Sequence, residues 1–492
     1  MVLHHGQSAT ETELRDACRE TIAGYKVSRS VEFVEALPLS GAGKILKREL
    51  RRRYWPDGEF QVRWGCKACT ASTQDQEETV TVDTEATAPP ARGTRPRNRR
   101  ELIVAAAREL FYRNGYANVA MSDIATAVNI RPSALYRHFR GKQELLYAVV
   151  AEALESCLAG LYAARPGDLD TLVRDFAETA LARRELGVLW QREARHLPAD
   201  QRAELGEQLH AARRALMEQL TANRPRLDTA HAELLAWCTL AVAVSVAYQH
   251  VELPSPDYPD LIARLMRGVA TADLPDLGEH VGQRPGRAVK LTHRSRRESL
   301  LAAATELFAE RGYASVSLED TGAAVGIAGQ SIYNHFSSKH EILVTAMNRS
   351  TEGLWLDLAE VLASAQDHAD ALRLLMLRYT QFALAHRHLV TLVVTETTHL
   401  QDEERHRTRQ VQRDYIEEWL HLMRALHPAM SPEEARVRVQ AVLTIVNDVV
   451  RTPRLRTRSA IAQNLHQLGC GLLGLDSSPR PEGRPEAGSR QT

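Results

Sequence analysis

The chain has 492 residues, 44% hydrophobic and 25% charged, with 62 basic side chains against 62 acidic ones. That length is too great for one core and predicts two to four domains. The zero net charge excludes steering onto nucleic acid or an anionic membrane by a whole-molecule field, so any such binding must be local. Six scattered cysteines (Cys18, Cys66, Cys69, Cys157, Cys238, Cys470) argue against a disulfide framework and for a reducing, cytoplasmic location. Cys66 and Cys69 form a lone CxxC, to which no metal is assigned. The opening MVLHHGQSATETELRD has neither a basic n-region nor an apolar h-region. The longest apolar run, Leu234 to Tyr248, is shorter than the about 20 residues of a membrane span. It reads as a buried core or interface helix, and no membrane association is expected.

Residues 1–64 mix a helix with a strand, a small α+β fragment. Thr10-Glu11-Thr12-Glu13 opens a helix with Leu14, Ala17, Cys18 and Ile22 on one face; VEFVEAL alternates as a strand does, and Leu39 to Gly43 is a glycine turn. The stretch PLSGAGKILKREL (38–50), preceded by AGYKVSRSVEFVEAL and followed by Tyr54-Trp55, resembles the end of AMP-forming acyl-CoA synthetases. That resemblance implies that Lys44 holds the place of the lysine that assists adenylation, with Gly41 and Gly43 freeing its turn. The family's phosphate loop and large nucleotide domain have no counterpart here. No catalytic residue, cofactor or enzyme activity is therefore expected. The fragment reads as a fusion remnant, a start-site artefact or a docking element, and it hints at acyl metabolism. Residues 65–95, rich in Thr, Ser, Gln, Glu, Ala and Pro, read as a disordered linker.

From 96 to 277 the pattern is helical. A Gly/Pro-containing linker occupies 278–293, helical text resumes over 294–475, and 476–492 reads as a disordered tail. The two helical stretches are copies. Arg99–Tyr147 aligned without gaps on Arg296–Val344, at an offset of 197, gives 23 identities in 49 positions. A period this long means duplicated domains.

Within each copy a first helix carries one apolar stripe, Ile103, Ala107, Leu110 and Phe111 or Leu300, Ala304, Leu307 and Phe308. It stops at Gly115 or Gly312, where a left-handed residue belongs. A short second helix is expected over Ser122–Val128 (Glu319–Val325). A third follows over Pro132–Phe139 (Gly329–Phe336), with Pro132 at a first helical position. Leu135 and Phe139 point inward; Ser133, Ala134, Arg137 and Arg140 are left outside. Two short helices around a tight turn make a helix-turn-helix, at about 97–145 and 294–342.

The texts LFYRNGY…SDIATAVNIRPSALYRHFRGKQELL and LFAERGY…EDTGAAVGIAGQSIYNHFSSKHEIL resemble the DNA-binding helices of TetR-family regulators, twice over. The resemblance implies a mainly α fold: two tandem modules, each a helix-turn-helix followed by a helical ligand and dimer domain. It also implies DNA roles. Tyr136 and Tyr333 would set a phenol against a phosphate. Lys142 and Lys339, at the start of the fourth helix, would neutralise another with the helix dipole. His138 and His335 would bond a phosphate or pack. Arg131 and Arg137 are candidate base readers, alongside Ser133, Ala134, Gln330, Ser331 and Asn334. Phe139 and Phe336 would anchor the recognition helix. The copies differ from the family pattern at Asn129 (Gly326 in copy two), at Ala120 (Ser317, with Asp320 for a capping box) and at Thr321, a polar residue where copy one has Ile124.

The helical domains share an E-x-x-H-L, Glu193 with His196 and Glu396 with His399, each pair one turn apart. These are weak ligand-binding candidates; an i,i+3 polar pair on a helix surface is the other reading. The runs 234–248 and 439–450 fit the last helices through which the family dimerises. The expected function is a ligand-responsive, DNA-binding transcriptional regulator, a repressor, of acyl or lipid metabolism. Its partners would be double-stranded operator DNA and a small apolar effector such as an acyl-CoA or fatty acid. The modules would pair as an intrachain pseudo-dimer or across a homodimer. The alternatives are an acyl-activating enzyme fragment and an interaction scaffold that reads no DNA.

Overall fold

Apolar residues three and four apart place a buried stripe on the first helix, α1 (Arg99–Asn114), where Ile103, Val104, Ala107 and Phe111 are buried. The same stripe recurs in Leu300, Leu301, Ala304 and Phe308 of the corresponding helix of copy two, Arg296–Arg311. The computed structural model describes residues 98–163, 167–249, 251–279, 293–327 and 329–475, all within one compact unit, Ala86–Thr492. The expectations for the N-terminal fragment, Lys44, the Cys66/Cys69 pair, the 65–95 linker and the tail lie outside the described residues.

After α1 the first module continues with α2 (Met121–Ala127), α3 (Pro132–Leu135), α4 (Lys142–Ala163), α5 (Leu169–Ala182), α6 (Glu185–Val188), α7 (Ala199–Asn223), α8 (Thr229–Ser245) and α9 (Asp257–Ala270). The second repeats it as α10 (Arg296–Arg311), α11 (Leu318–Ala324), α12 (Gly329–Ile332), α13 (Lys339–Ser364), α14 (His368–Ala385), α15 (Arg387–Thr395), α16 (Asp402–Leu426) and α17 (Pro432–Arg451), then α18 (Pro453–Arg456) and α19 (Ile461–Leu472). No strand occurs among the described residues, and the fold is mainly α in two tandem TetR-like modules.

Local chemistry sets the boundaries. The Asp228 carboxylate caps α8 by accepting from the amides of Ala230 and His231, at 2.9 and 3.0 Å. Gly115 and Gly312 end α1 and α10 at φ 78° and 81° with ψ near 145°, a region that L side chains avoid. In the helix-turn-helix, Asn129 holds φ 55° and Gly326 φ 68°. Asn is among the few side chains that tolerate this conformation. In copy two Ser317 and Asp320 complete the expected capping box, each accepting from the other's amide at 3.0 and 2.8 Å. In copy one only the carboxylate half is present, Asp123 accepting from the Ala120 amide at 2.9 Å. Thr321 is fully buried and bonds the Ser317 carbonyl at 3.2 Å. The third helices are shorter than expected. Past Leu135 the chain tightens into turns, with His138 N–H on the Leu135 carbonyl at 2.9 Å, so Arg137 and His138 ride on a turn.

The modules meet through their last helices. α8 lies along α17, and α9 against α19. Ala232, Leu234, Leu235, Ala236, Cys238, Ala241, Val242 and Ala243 of α8 are all buried, because α8 is enclosed by its own module on one side and by α17 on the other. Thr229–Tyr248 has the length and apolarity of a membrane helix, and here that surface is spent on this packing. A polar knot sits in the seam. The Gln191 amide donates to Asp448 at 2.7 Å, while Tyr248 and Arg451 both donate to the Gln191 carbonyl.

One buried apolar cluster runs through the first DNA-binding unit and both helical domains; the second DNA-binding unit, with Phe308, Ile332 and Phe336, has a cluster of its own. Leu154 carries the core along α4 at the position where α13 has the half-buried Thr351. The second reading head is thus less firmly rooted than the first.

Candidate DNA-binding units and their joint to the core

Each helix-turn-helix exposes a surface built on a buried anchor. Phe139 and Phe336 are buried, with Arg100 and Arg297 stacked over their rings at 5.0 and 4.3 Å. Fixing these rings leaves Tyr136 and Tyr333 outside, 54% and 55% exposed, an unusual state for a large ring in a free surface. Arg131, Ser133, Arg137, His138 and Arg140 are exposed on the first unit and Ala134 half-exposed; on the second, Asn334 is exposed and Ser331 and His335 half-exposed. The Gln330 side chain lies outside the described residues. The heads differ in charge. Residues 92–142 hold 11 Lys/Arg and 3 Asp/Glu, whereas 289–339 hold 6 and 5.

Lys142 and Lys339 do not reach outward. The Lys142 ammonium donates to the carbonyls of Tyr116 and Val119 at 2.5 and 2.7 Å and lies 4.1 Å from the Tyr116 ring centroid. Lys339 repeats this with Tyr313 and Val316, both at 2.7 Å, and the Tyr313 ring at 4.2 Å. The phosphate role expected of these lysines is corrected: the ammonium is spent on carbonyls left free at the 3₁₀ turn. Burial lowers both lysines below their ordinary pKa, the neighbouring Glu193 or Glu396 opposing it. Nor is the start of α4 open to an anion, since Glu144 already accepts from the Arg140 amide at 2.6 Å.

The other face of each tyrosine meets the helical domain. His196 stacks on Tyr116 with centroids 4.9 Å apart at 21°, and His399 lies against Tyr313 at 5.1 Å. Burial holds both imidazoles below their ordinary pKa, favouring the neutral ring. Glu193 is buried, accepting from the Tyr116 amide at 3.2 Å and from Arg192 at 2.7 Å. Glu193, His196, Glu396 and His399 were weak ligand candidates. They are instead the joint between reading head and core, because their polar atoms are taken up by the turn they hold. A cavity of about 560 Å³ beside the first joint is lined by Tyr116, Lys142, Pro198 and Gln201 among others, but by neither Glu193 nor His196.

Sequence reasoning missed Arg195. Its guanidinium crosses to the second module, donating to Glu396 and, at 3.1 Å, to the Thr395 carbonyl. The two joints also touch each other's glycines. A side-chain carbon on Gly115 would lie 3.8 Å from Thr398, and one on Gly312 3.7 Å from Arg195. Residues 195 and 398 hold equivalent places in the two E-x-x-H-L repeats.

The family model of "Bacterial regulatory proteins, tetR family" matches residues 103–149 and again 300–346. These two segments are TetR-type DNA-binding domains. The chain is similar to the HTH-type transcriptional activator FasR of Mycolicibacterium smegmatis, 31% identical over 107 residues, 21% of this chain and 49% of that one. It is similar over shorter matches to a feruloyl-CoA synthase of Amycolatopsis, 57% identical over 42 residues, 8% of this chain and 9% of the other. A long-chain-fatty-acid–CoA ligase of Haemophilus influenzae is 46% identical over 50 residues, 10% and 9% of the two chains. The chain thus spans about half the length of the first of these relatives and about a tenth of the ligases. Among solved structures, the TetR-family regulator PfmR of Thermus thermophilus aligns with 36% of this chain and 96% of its own, at 23% identity and a TM-score of 0.32. The TetR-type segments fit the exposed tyrosines and the buried phenylalanine anchors, and the ligase matches are confined to short stretches.

Proposed function

We propose that the chain is a ligand-responsive transcriptional regulator, a repressor, that reads an asymmetric operator with two unequal heads carried on one polypeptide. The observation that carries this reading is the continuous packing of α8 on α17, which sets two TetR-type heads on a common core. Paired recognition elements about one turn of DNA apart are what a helix-turn-helix protein needs. Linkage within one chain supplies the pair at high effective concentration. The first head carries the arginines and supplies most of the phosphate neutralisation; the second, with Asn334 at its surface, adds base discrimination. The effector is a small acyl compound, a reading supported by the synthetase-like fragment and by matches to proteins named as acyl-CoA ligases. Residues 1–64 are dispensable for DNA binding.

The test is a footprint of the purified chain on its own upstream region, with the mass of the complex measured by light scattering. One chain per operator with unlike protected half-sites is expected. No salt-dependent protection would favour a scaffold that reads no DNA, and two chains with like heads paired across them would favour a conventional homodimer.

A further inference from the structure

The helical core of the second module contains a four-ring cluster that the first lacks. Trp355 on α13 meets Tyr415 on α16 edge-on, centroids 6.0 Å apart at 77°. Tyr415 meets Trp419 at 6.4 Å and 69°, and Tyr379 on α14 meets Trp419 at 6.1 Å and 88°. At the equivalent places the first module has Leu158, Ala212, Leu216 and Phe176. The same duplicated backbone therefore surrounds an aliphatic core in one copy and an aromatic one in the other. All four polar tips belong to the second copy.

Those tips are not all satisfied. The Tyr379 hydroxyl donates to Asn447 at 2.8 Å. The Tyr415 hydroxyl and the Trp419 indole nitrogen are buried without a hydrogen-bond partner, although the indole lies near the Tyr415 oxygen. A core selected only for packing would use Phe or Leu here, as the first module does, since an unpaired buried donor is costly. Two donors converge where an acceptor is missing, among ring faces suited to stacking a flat apolar body. Asp357 lies within electrostatic reach of Tyr415, which disfavours a ligand that brings its own negative charge.

We infer that this cluster is an effector site, and that it takes a neutral aromatic acyl group whose carbonyl oxygen accepts from Tyr415 and Trp419. The assignment rests on the ligand-responsive reading above and narrows it to one module and one ligand class. Entry of a flat ring parts the edge-to-face contacts. Tyr379 is tied to Asn447 on α17, and the next residue, Asp448, is held by Gln191 of the first module. Displacement of these rings therefore bears on the helix that joins the modules.

The test uses the full chain and the N-acetylcysteamine thioester of cinnamic acid, with the octanoyl thioester, free cinnamate and benzyltrimethylammonium as comparisons, followed by tryptophan fluorescence and thermal melting. Saturable binding of the cinnamoyl thioester, about tenfold tighter than any comparison, is expected. Tyr415→Phe should weaken it about fivefold while leaving the melting midpoint unchanged or raised, because it deletes an unpaired hydroxyl. A residue with only a packing role would not separate those two readouts. Trp419→Phe serves as the second variant should Tyr415→Phe fold poorly. Equal or tighter binding of a comparison compound, or full cinnamoyl affinity in both variants, overturns the proposal. Operator affinity is measured in parallel: intact DNA binding without thioester binding removes the effector site alone, whereas absent DNA binding removes the regulator reading and leaves the titration to judge the site.

Discussion

Arg195 of the first module and Glu396 of the second form an ion pair across the seam, with the Glu396 side chain 1% exposed and that of Arg195 22%. Arg195→Ala strands a buried carboxylate and should cost about 3–5 kcal/mol, whereas Arg195→Met combined with Glu396→Gln should cost far less. A double-mutant cycle by urea unfolding measures the difference. Equal losses in the single and double variants would show that the pair contributes no coupling.

Lys142→Met separates a clamp from a phosphate contact. With its ammonium on the Tyr116 and Val119 carbonyls, its loss should destabilise the first helix-turn-helix by about 1–2 kcal/mol. Operator affinity then falls with an unchanged dependence on salt. A lysine bound to phosphate would instead reduce the salt slope by about 1. Titration at several salt concentrations, beside a thermal melt, distinguishes the two.

The exposed tyrosines behave in the opposite way. Tyr136→Phe and Tyr333→Phe should leave stability within about 0.5 kcal/mol, yet weaken operator binding. Arg137→Ala should cost more affinity than Asn334→Ala and remove more of the salt dependence, given the charge difference between the heads. A larger salt effect from Asn334→Ala would contradict that asymmetry.

Asp448 titrates where most carboxylates do not. Burial pushes it up to about 6, opposed by the Arg451 guanidinium and the Gln191 amide; Tyr248 and Cys238 also face it across the seam. Between the ordinary carboxylate value near 4 and 6, the folded chain holds a proton that the unfolded chain has released. Stability from this group is therefore present at low pH, falls as pH rises through that window, and is level above it. Asp448→Asn should flatten this slope and raise stability at pH 7.5 by up to about 2 kcal/mol. Melting temperatures of both proteins from pH 4.5 to 7.5 check it through their difference.

The helices and the helix-turn-helix were legible because their signals are local. Ile103, Ala107 and Phe111 lie within two turns, and the glycine, tyrosine and phenylalanine of each head recur at one offset. Directions and distant partners were not. The motif names Lys142 without saying that its ammonium turns back on a carbonyl 26 residues earlier. Glu193 and His196 look like a free polar pair until the Tyr116 amide, 77 residues away, is brought to them. Arg195 and Glu396 lie 201 positions apart, and no periodicity connects them. The third helix was drawn too long because inward Leu135 and Phe139 fit helical spacing as well as they fit a turn.

In a two-fold symmetric dimer, a residue near the axis faces its own twin and must be compatible with itself. An arginine at the place of Arg195 would there be matched by a second arginine over the opposite glycine. Here that place is Thr398. Joining both halves in one gene releases the seam from self-complementarity, so that a substitution strikes one half only and each head, joint and core is free to change alone.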